Sequence, residues 1–247
     1  MSTMTTSNHR IRLAVVLATI ALLATPVAAL AAPGEAGGRA VLGGQQLATL
    51  GHDTGVFQAP DPNSAHVTEL SDVGPITGER TVLPVVGGAT GPRGMGWLEV
   101  LLPGRPNGHS GWIRQRATTE SVTYWRISVR LSTRTVTVFY RDRVAEIFRA
   151  VVGKPTTPTP TGRFFVEESV VLDGQQAGAP YALALSARSN VLQEFDGGPG
   201  QIALHGVGNI GGIPGTAVSH GCVRLATPAI TWLSTHITPG VVVTITP

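Results

Sequence analysis

Glycine and proline interrupt this chain so often that long helices have little room to form. It contains 31 Gly and 18 Pro in 247 residues, and the apolar runs between them are short. From Trp125 to Leu131 apolar and polar residues alternate, which puts one face in a core and the other in solvent. Further short runs predict strands at 81–86, 97–102, 135–140, 145–152, 163–167, 181–185, 201–205 and 241–246. The sequence therefore predicts a mainly β fold, and a sandwich rather than a barrel for its C-terminal half.

One segment departs from the β pattern and predicts a helix near the C-terminus. Thr227 is a suitable N-cap and Pro228 fits the first helical position, followed by residues 229–236 and a Pro-Gly pair at 239–240. His236 would lie at the C-terminal end of this helix, where the helix dipole favours a cation. We therefore interpret His236 as a structural residue.

The N-terminus has the three parts of a secretory signal peptide. A basic start with Arg10 and Arg12 precedes an apolar stretch at 13–24 and an A-x-A cleavage site at 29–31. The prediction is a signal peptide over residues 1–31 and a secreted protein, with an uncleaved membrane anchor as the alternative. Contact with the membrane would then be transient. Cleavage leaves 16 basic against 15 acidic residues, a net charge of +1, which argues against a nucleic-acid partner.

Two further segments precede the C-terminal half. Residues 32–66 lack sustained periodicity and predict a flexible linker. Residues 67–119 alternate short strands with turns and predict a small barrel. Within it, Trp97 and Val100, a Pro/Gly loop at 103–108 and a closing G-W-I at 111–113 resemble bacterial SH3-like domains of cell-wall proteins. This resemblance implies either a wall ligand for the barrel or a purely structural spacer.

The only cysteine of the chain, Cys222, is the candidate nucleophile. A free thiol has a pKa of about 8.5 and needs a base to attack at neutral pH. His205 lies seventeen residues upstream and His220 two residues upstream. Side chains at i and i+2 share a face of an extended segment but are poorly aimed at each other, so His205 is favoured as the base and His220 as a lining residue. An inert buried thiol is the alternative.

These residues form a recognisable signature. The pair His205-Gly206, followed by S-H-G-C-V-R-L at 219–225, resembles the catalytic motif of L,D-transpeptidase domains of the YkuD type. Segments 152–154, 157–164 and 180–183 are similar to other recurrent parts of that family, so the resemblance covers about residues 124–247. It implies a catalytic domain over residues 120–247 and a location in the bacterial cell wall or periplasmic space. It implies an L,D-transpeptidase-type β-sandwich that catalyses acyl transfer through a thioester, with neither a metal nor another cofactor.

The resemblance also assigns roles to individual residues. The resemblance implies that Cys222 attacks and that His205 is the base. Since no Asp or Glu follows residue 196, the group that orients the imidazole is either an upstream carboxylate or a backbone carbonyl, and the resemblance suggests the carbonyl of Gly206. The backbone of residues 219–222 is expected to form the oxyanion hole and line the site, with free N–H groups on Gly221 and Cys222. The residues of this wall are Ser219, His220, Gly221 and Gly206. Arg224 and Tyr181 are the candidate substrate-binding residues, and Arg224 can alternatively hold the catalytic loop.

Three other motifs compete with this interpretation. Residues 206–211 match G-x-G-x-x-G, but a Pro-Gly pair follows where a dinucleotide-binding fold has its helix. Residues 108–111 are similar to a serine elbow, but Trp112 stands where that motif needs glycine. His205, His220 and Cys222 are potential zinc ligands, although no carboxylate accompanies them.

The preferred function is an exported peptidoglycan L,D-transpeptidase. It would take the acyl group of a tetrapeptide stem, release D-alanine and form a 3→3 cross-link with another stem. The alternatives are hydrolysis of the same thioester as an L,D-carboxypeptidase, attachment of wall proteins, or a wall-binding protein without turnover. The expected partners are peptidoglycan stem peptides and a wall ligand of the SH3-like domain.

Overall fold

The computed structural model describes residues 43–195 and 197–247 and is mainly β, as the sequence predicts. Residues 1–42, which include the predicted signal peptide, lie outside these ranges. The first seven strands are β1 (Gln45–Leu50), β2 (Thr54–Phe57), β3 (His66–Leu70), β4 (Val82–Thr90), β5 (Gly96–Leu101), β6 (Ser110–Arg114) and β7 (Thr118–Thr123). Short 3₁₀ turns precede β5 at Pro92–Gly94 and β7 at Gln115–Ala117.

The second half contributes nine strands and the α-helix of the described ranges. They are β8 (Trp125–Arg130), β9 (Thr135–Tyr140), β10 (Arg143–Gly153), β11 (Gly162–Val171), β12 (Tyr181–Arg188), β13 (Gln201–Gly206), β14 (Ala217–Ser219), β15 (Val223–Leu225), α1 (Thr227–His236) and β16 (Val242–Thr246). No helix in the described part of the chain is long and apolar enough to cross a membrane. The strands predicted in this half are present, whereas the three-residue strands β14 and β15 carry too little pattern to be predicted.

Strands β1–β7 form a small β-barrel, which we call the N-terminal barrel. Their order is β3-β2-β6-β5-β4-β1-β7. Strand β4 connects the two sides because its first residues pair with β1 and its later residues pair with β5. The enclosed apolar side chains include Leu50, Val56, Leu83, Val100 and Ile113.

The prediction of a flexible linker over residues 32–66 is wrong for residues 45–57, which form β1 and β2. Strand β1 lies between β4 and β7, and Leu50 and Val56 are fully buried. The partners of β1 are remote in sequence, so its short apolar pattern acquires a meaning only in the folded sheet. The predicted boundary at residue 119 also falls inside β7, which pairs with β1 up to Thr123.

Strands β8–β16 form a sandwich whose two sheets share two long strands. The first part of β10 pairs with β9 and its last part with β15 and β14. Likewise, β11 pairs with β16 through residues 162–165 and with β12 from Val166 onward. Both strands have register shifts in their pairing, and that of β11, between Val166 and Glu168, falls where the strand passes from β16 to β12. The two shared strands connect the sheets along both sides of the core.

Helix α1 packs against β12 and β13 with Ala229, Ile230 and Leu233 buried. It begins at Thr227 with Ala226 as the N-cap, so the prediction of Thr227 as N-cap is wrong by one position. The end of the helix agrees with the sequence. The His236 ring stacks on Trp232 at 4.0 Å between centroids, which supports its interpretation as a structural residue.

The N-terminal barrel and the sandwich share buried side chains. Phe165 of β11 is 1% exposed and lies in the apolar core of the barrel. The neighbouring carboxylate of Glu168 is also buried and accepts hydrogen bonds from the backbone N–H groups of Ile76 and Thr77 in the barrel. An apolar side chain and a satisfied buried carboxylate therefore cross the same interface, which is unlike the contact of a loosely tethered spacer.

Candidate active site

Two parallel neighbouring strands bring the two halves of the sequence motif together. Strand β13 pairs with β15 so that Leu204 lies beside Val223, and His205 beside Arg224. Cys222 directly precedes β15 and therefore lies beside Ala203, in the middle of β13. His205, Cys222, His220 and Arg224 line one cleft, together with Gln201 and Ile202 of β13.

The imidazole of His205 is held in one orientation by its own neighbour. Nδ1 donates a hydrogen bond of 2.7 Å to the carbonyl oxygen of Gly206, the acceptor that the family resemblance implied. This bond leaves the lone pair on Nε2. Gly178 has a φ of +92°, and a Cβ there would lie 2.5 Å from Nδ1, so only glycine lets the backbone approach the ring so closely. Burial lowers the pKa of His205, while its bond to Gly206 opposes that change.

The thiol of Cys222 lies against the backbone of β13. Its Sγ is 3.9 Å from the carbonyl oxygen of Gln201, a long contact for a thiol donor. Burial raises the pKa of Cys222, and hydrogen bonding to the Ala203 backbone and the positive charge of Arg224 only partly oppose the rise. A thiol with a raised pKa beside an imidazole with a lowered pKa describes a neutral pair at neutral pH, not a preformed thiolate and imidazolium.

The turn at residues 219–222 is stabilised from within by a buried hydroxyl. Ser219 Oγ donates to the carbonyl oxygen of Cys222 at 2.6 Å and accepts from the N–H of Gly221 at 3.1 Å. Gly221 has a φ of +124°, which disfavours every residue with a side chain, and a Cβ there would lie 2.9 Å from Ile202.

This geometry corrects the sequence-based oxyanion hole. The N–H of Gly221 is not free, because the Ser219 hydroxyl already accepts its hydrogen bond. Within the described ranges the backbone N–H groups of His220 and Cys222 have no hydrogen-bond acceptor, so these two donors of the turn stay available. The role of Ser219 is to fix the turn, which the sequence alone does not reveal.

His220 is on the rim of the cleft and its lone pair is engaged. Its ring is exposed and stacks on Phe195 with centroids 5.4 Å apart. The ammonium of Lys154 lies 3.4 Å from Nε2, and since an ammonium can only donate, it occupies that lone pair. This contact and the rim position distinguish His220 from His205, whose Nδ1 is held by a backbone carbonyl.

Arg224 and Tyr181, the two candidate substrate-binding residues, are placed differently. Arg224 is 7% exposed, and its Nη1 donates to the carbonyl oxygens of Gly211 at 3.1 Å and Ile210 at 3.4 Å. Its guanidinium therefore holds the loop that follows β13, although it also lines the cleft. Tyr181 is half-buried and packs against the sandwich core, and it is not among the residues that line the cleft.

The cleft is narrow and has an apolar side that the sequence analysis missed. It encloses about 50 Å³, enough for only a few water molecules. Leu192 and Phe195 line it from the loop between β12 and β13, opposite Ile202 and Ile210. In the sequence these two residues are visible only as large apolar side chains in a Gly/Pro-rich loop. Because the loop has no periodicity, the sequence does not predict where their side chains lie.

The competing motifs have ordinary structural roles. No helix follows the G-x-G-x-x-G run, whose first glycine ends β13 and whose remaining residues form the loop that Arg224 holds. Ser110 begins β6 and donates to Glu99 at 2.6 Å. Among the described residues no group of three or more His, Cys, Asp or Glu side chains is arranged to hold a metal ion.

Comparison with known proteins agrees with the site. Residues 124–245 match the family model of the L,D-transpeptidase catalytic domain, YkuD. This segment of the chain is therefore similar to L,D-transpeptidase catalytic domains. The match covers the whole sandwich, from the start of β8 to β16, and includes every residue of the motif.

Two relatives are similar in sequence to about half of the chain. The protein named L,D-transpeptidase YkuD in Bacillus licheniformis is 33% identical over 123 residues, 50% of this chain and 66% of the relative. Its namesake in Bacillus subtilis strain 168 is 31% identical over 121 residues, 49% of this chain and 65% of the relative. The chain thus spans just under two thirds of the length of these curated relatives.

Solved structures of similar proteins include an L,D-transpeptidase from Mycobacterium smegmatis. It aligns with 62% of this chain and 91% of its own, at 18% identity and a TM-score of 0.38.

Proposed function

We propose that this protein is an exported peptidoglycan L,D-transpeptidase that forms 3→3 cross-links by cysteine acyl transfer. One observation carries the proposal: the only thiol of the chain shares a narrow cleft with an imidazole whose Nδ1 is bonded to a backbone carbonyl. Both lie in the segment that matches the family model of the L,D-transpeptidase catalytic domain, and proteins of that family act on the peptide stems of peptidoglycan.

The first step of the proposed reaction is attack of Cys222 on the donor stem. Because the thiol and the imidazole are both neutral at rest, His205 Nε2 takes the thiol proton as the sulfur bonds to the carbonyl carbon. The carbonyl oxygen becomes an oxyanion, for which the free N–H of Cys222 is a suitable donor. The imidazolium then gives its proton to the departing amine, and D-alanine leaves a thioester behind.

The second step transfers the acyl group to an acceptor. An amine of another stem attacks the thioester and loses its proton to His205, and collapse of the tetrahedral intermediate expels the Cys222 thiolate. That thiolate recovers its proton from the imidazolium, so the enzyme returns to its starting state. The narrow cleft and its apolar side would favour this outcome by limiting access of water to the thioester. Hydrolysis instead of aminolysis would make the protein an L,D-carboxypeptidase.

The surrounding residues have supporting roles in this proposal. Ser219 and Gly221 fix the turn that carries Cys222, and Gly206 fixes the imidazole. Arg224 holds the neighbouring loop, and its position in the cleft leaves contact with a donor carboxylate as a second role. Tyr181 as a substrate contact, the predicted signal peptide over residues 1–31 and the secreted location remain parts of the proposal. So does a wall ligand for the N-terminal barrel.

The decisive experiment supplies a purified disaccharide-tetrapeptide to the purified protein and identifies the products by mass. A dimer linked 3→3, with one D-alanine released per link, is the expected result, and Cys222→Ala should give none. Release of D-alanine with tripeptide alone would identify a carboxypeptidase. Labelling by a carbapenem that disappears in Cys222→Ala would demonstrate the nucleophile, and no product together with no labelling would leave only a non-catalytic wall-binding protein.

A further inference from the structure

One side of the cleft is formed by a loop that the catalytic strands do not hold. We define the cleft loop as residues 189–195 and 197–200, between β12 and β13. Ser189, Leu192, Phe195 and Gly200 of this loop line the cleft. Phe195 also stacks on His220 at the rim, although 46% of its surface is exposed.

The cleft loop is closed at its base by its own hydrogen bonds. The N–H of Ser189 donates to the carbonyl oxygen of Gly200 at 2.8 Å. The hydroxyl of Ser189 accepts from the N–H groups of Val191 at 3.3 Å and Leu192 at 3.0 Å. These bonds give the loop its shape, but they do not fix its position over Cys222.

That position is fixed by the N-terminal barrel. Arg105, in the turn between β5 and β6, donates from Nη2 to the carbonyl oxygens of Ser189 at 2.8 Å and Leu192 at 3.1 Å. Its Nη1 donates to the carbonyl oxygen of Pro199 at 3.1 Å. One rigid guanidinium therefore binds carbonyls at both ends of the cleft loop. A compact donor such as an ammonium lacks the planar fork that reaches three separate carbonyls.

A second residue of the same turn anchors the end of β12. The Asn107 amide donates from Nδ2 to the carbonyl oxygen of Arg188 at 2.7 Å and accepts at Oδ1 from the N–H of Arg188 at 2.8 Å. Nδ2 also donates to Asn190 at 3.0 Å. The amide thus pairs with the backbone as a neighbouring strand would.

From Arg188 the contacts continue to the nucleophile. The Arg188 side chain pairs with Glu167 at 3.0 Å, and both side chains are only 12% exposed. Gln201 donates to the other oxygen of Glu167 at 3.1 Å, and its backbone carbonyl lies 3.9 Å from the thiol of Cys222. The turn of the barrel is therefore connected to the cleft both through the loop and through a buried ion pair.

We propose that Arg105 is a positioning residue that holds the cleft loop over Cys222 and thereby sets the width of the acyl-donor cleft. The N-terminal barrel is then a structural part of the active site. Since the cleft encloses only about 50 Å³, a displacement of Leu192 and Phe195 by about 1 Å would change it substantially. The effect on donor kinetics rests on the proposed function, whereas the effect on the loop itself does not.

The test compares Arg105→Ala and Arg105→Lys with a matched control, Arg80→Ala. Like Arg105, Arg80 belongs to the barrel. Its guanidinium binds the carboxylate of Asp72 and the backbone carbonyl of Gly51, but it does not contact the cleft loop. Three measurements are made on the full purified protein: hydrogen exchange of peptides covering residues 186–202, labelling of Cys222 by a bulky maleimide and by iodoacetamide, and kcat and KM with the tetrapeptide donor.

We expect Arg105→Ala to speed exchange at the bonded amides of Ser189 and Leu192 by about tenfold or more, because lost charged hydrogen bonds lower the cost of local opening. Maleimide labelling should rise more than iodoacetamide labelling. For the tetrapeptide, KM should rise by about five- to tenfold with a smaller change in kcat, since a loosened wall costs donor binding first. Arg105→Lys should recover part of each effect, and Arg80→Ala should change none of them.

Unchanged exchange in the cleft loop of Arg105→Ala would overturn the proposal. So would equally faster exchange in the strands of the barrel, which would indicate general destabilisation. If Arg105→Ala does not fold, Asn107→Ser provides the second variant, and it must loosen residues 188–190 without affecting β1. A wild-type protein that releases no D-alanine would refute the proposed function, but the exchange and labelling measurements would still decide the role of Arg105.

Discussion

The two walls of the cleft are held together over very different distances along the chain. On the catalytic wall, His205 bonds to the next residue and Ser219 bonds to Cys222 three residues away. On the opposite wall, the cleft loop bonds to Arg105 across 84, 87 and 94 residues. The contacts that orient the catalytic residues are therefore local in sequence, whereas access to these residues depends on a separate part of the fold.

The largest expected effect is on the catalytic wall. Cys222→Ala and Cys222→Ser should abolish release of D-alanine, because only the thiol can form the thioester in the proposed reaction. The substitution is small and the thiol makes only a long contact with the Gln201 carbonyl and a hydrogen bond with the Ala203 backbone, so the melting temperature should change little. The measurement is D-alanine release by the wild type and both variants, with circular dichroism as the control for folding. Substantial turnover by Cys222→Ala would exclude thiol catalysis.

The next effect separates two histidines of the same cleft. His205→Gln should lower thioester formation by about 10² to 10⁴, the usual range for a positioned acid-base group. His220→Gln should cost much less, because its Nε2 is already engaged by Lys154 and its ring lies at the rim. Rates of acylation by a carbapenem, followed by mass, compare the two variants directly. The opposite order would make His220 the base.

The residues of the catalytic wall were predictable because their contacts are short in sequence. The motif alone indicates Cys222 and His205, and the carbonyl partner in Gly206 follows from the resemblance and is present in the structure. One detail was wrong. The N–H of Gly221 was expected to be free, but the hydroxyl of Ser219 folds back onto it, and such a contact depends on the local rotamer, not on residue type.

The fold was predictable to the same extent and for the same reason. Alternating residues predict the strands of the sandwich, since the period of two is visible within one strand. Strands β1 and β2 were mistaken for a linker because they are short and become buried only against β4, β6 and β7. Arg105 and Phe195 belong to the same class, as their roles exist only once distant segments meet. Sequence periodicity cannot report such pairs.

The pH dependence of acylation and of thiol alkylation tests whether His205 and Cys222 are neutral at rest. Acylation by the peptide donor requires a neutral His205, and burial lowers the pKa of this group from 6.5. Activity should therefore persist below pH 6.5 and decline only as the pH falls through the lowered pKa. Burial raises the pKa of the Cys222 thiol from 9.0, so alkylation by iodoacetamide should increase only in the alkaline range. The profiles are measured between about pH 5 and 10 by stopped-flow labelling of Cys222 and by donor kinetics. This pH range is chosen to include the titration of both groups.

The control for that profile is His205→Gln, which should lose the acidic limb and keep the alkaline one. Fast alkylation at neutral pH with a midpoint well below that of an ordinary thiol would contradict the neutral pair. It would point instead to a thiolate stabilised by a protonated His205, as in cysteine enzymes with a preformed ion pair. His220 would then have to be tested again as the acceptor of the Cys222 proton.

The smallest expected effect concerns Arg224, which lines the cleft and holds the loop after β13. Its Nη1 holds the carbonyls of Gly211 and Ile210, and its Nε has no hydrogen-bond partner among the described residues although it is buried. Arg224→Lys keeps the charge but loses the planar fork, so we expect turnover of the tetrapeptide to fall by about three- to tenfold.

If Arg224 acts by holding the loop, labelling of Cys222 by a small neutral reagent should change by a similar factor, and amide exchange in residues 207–216 should rise. If it binds a carboxylate of the donor instead, KM should rise while labelling and exchange stay at the wild-type level. The two bonded carbonyls favour the first outcome, which would place Arg224 with Arg105 as a residue that controls access through a loop, and leave the chemistry to Cys222 and His205.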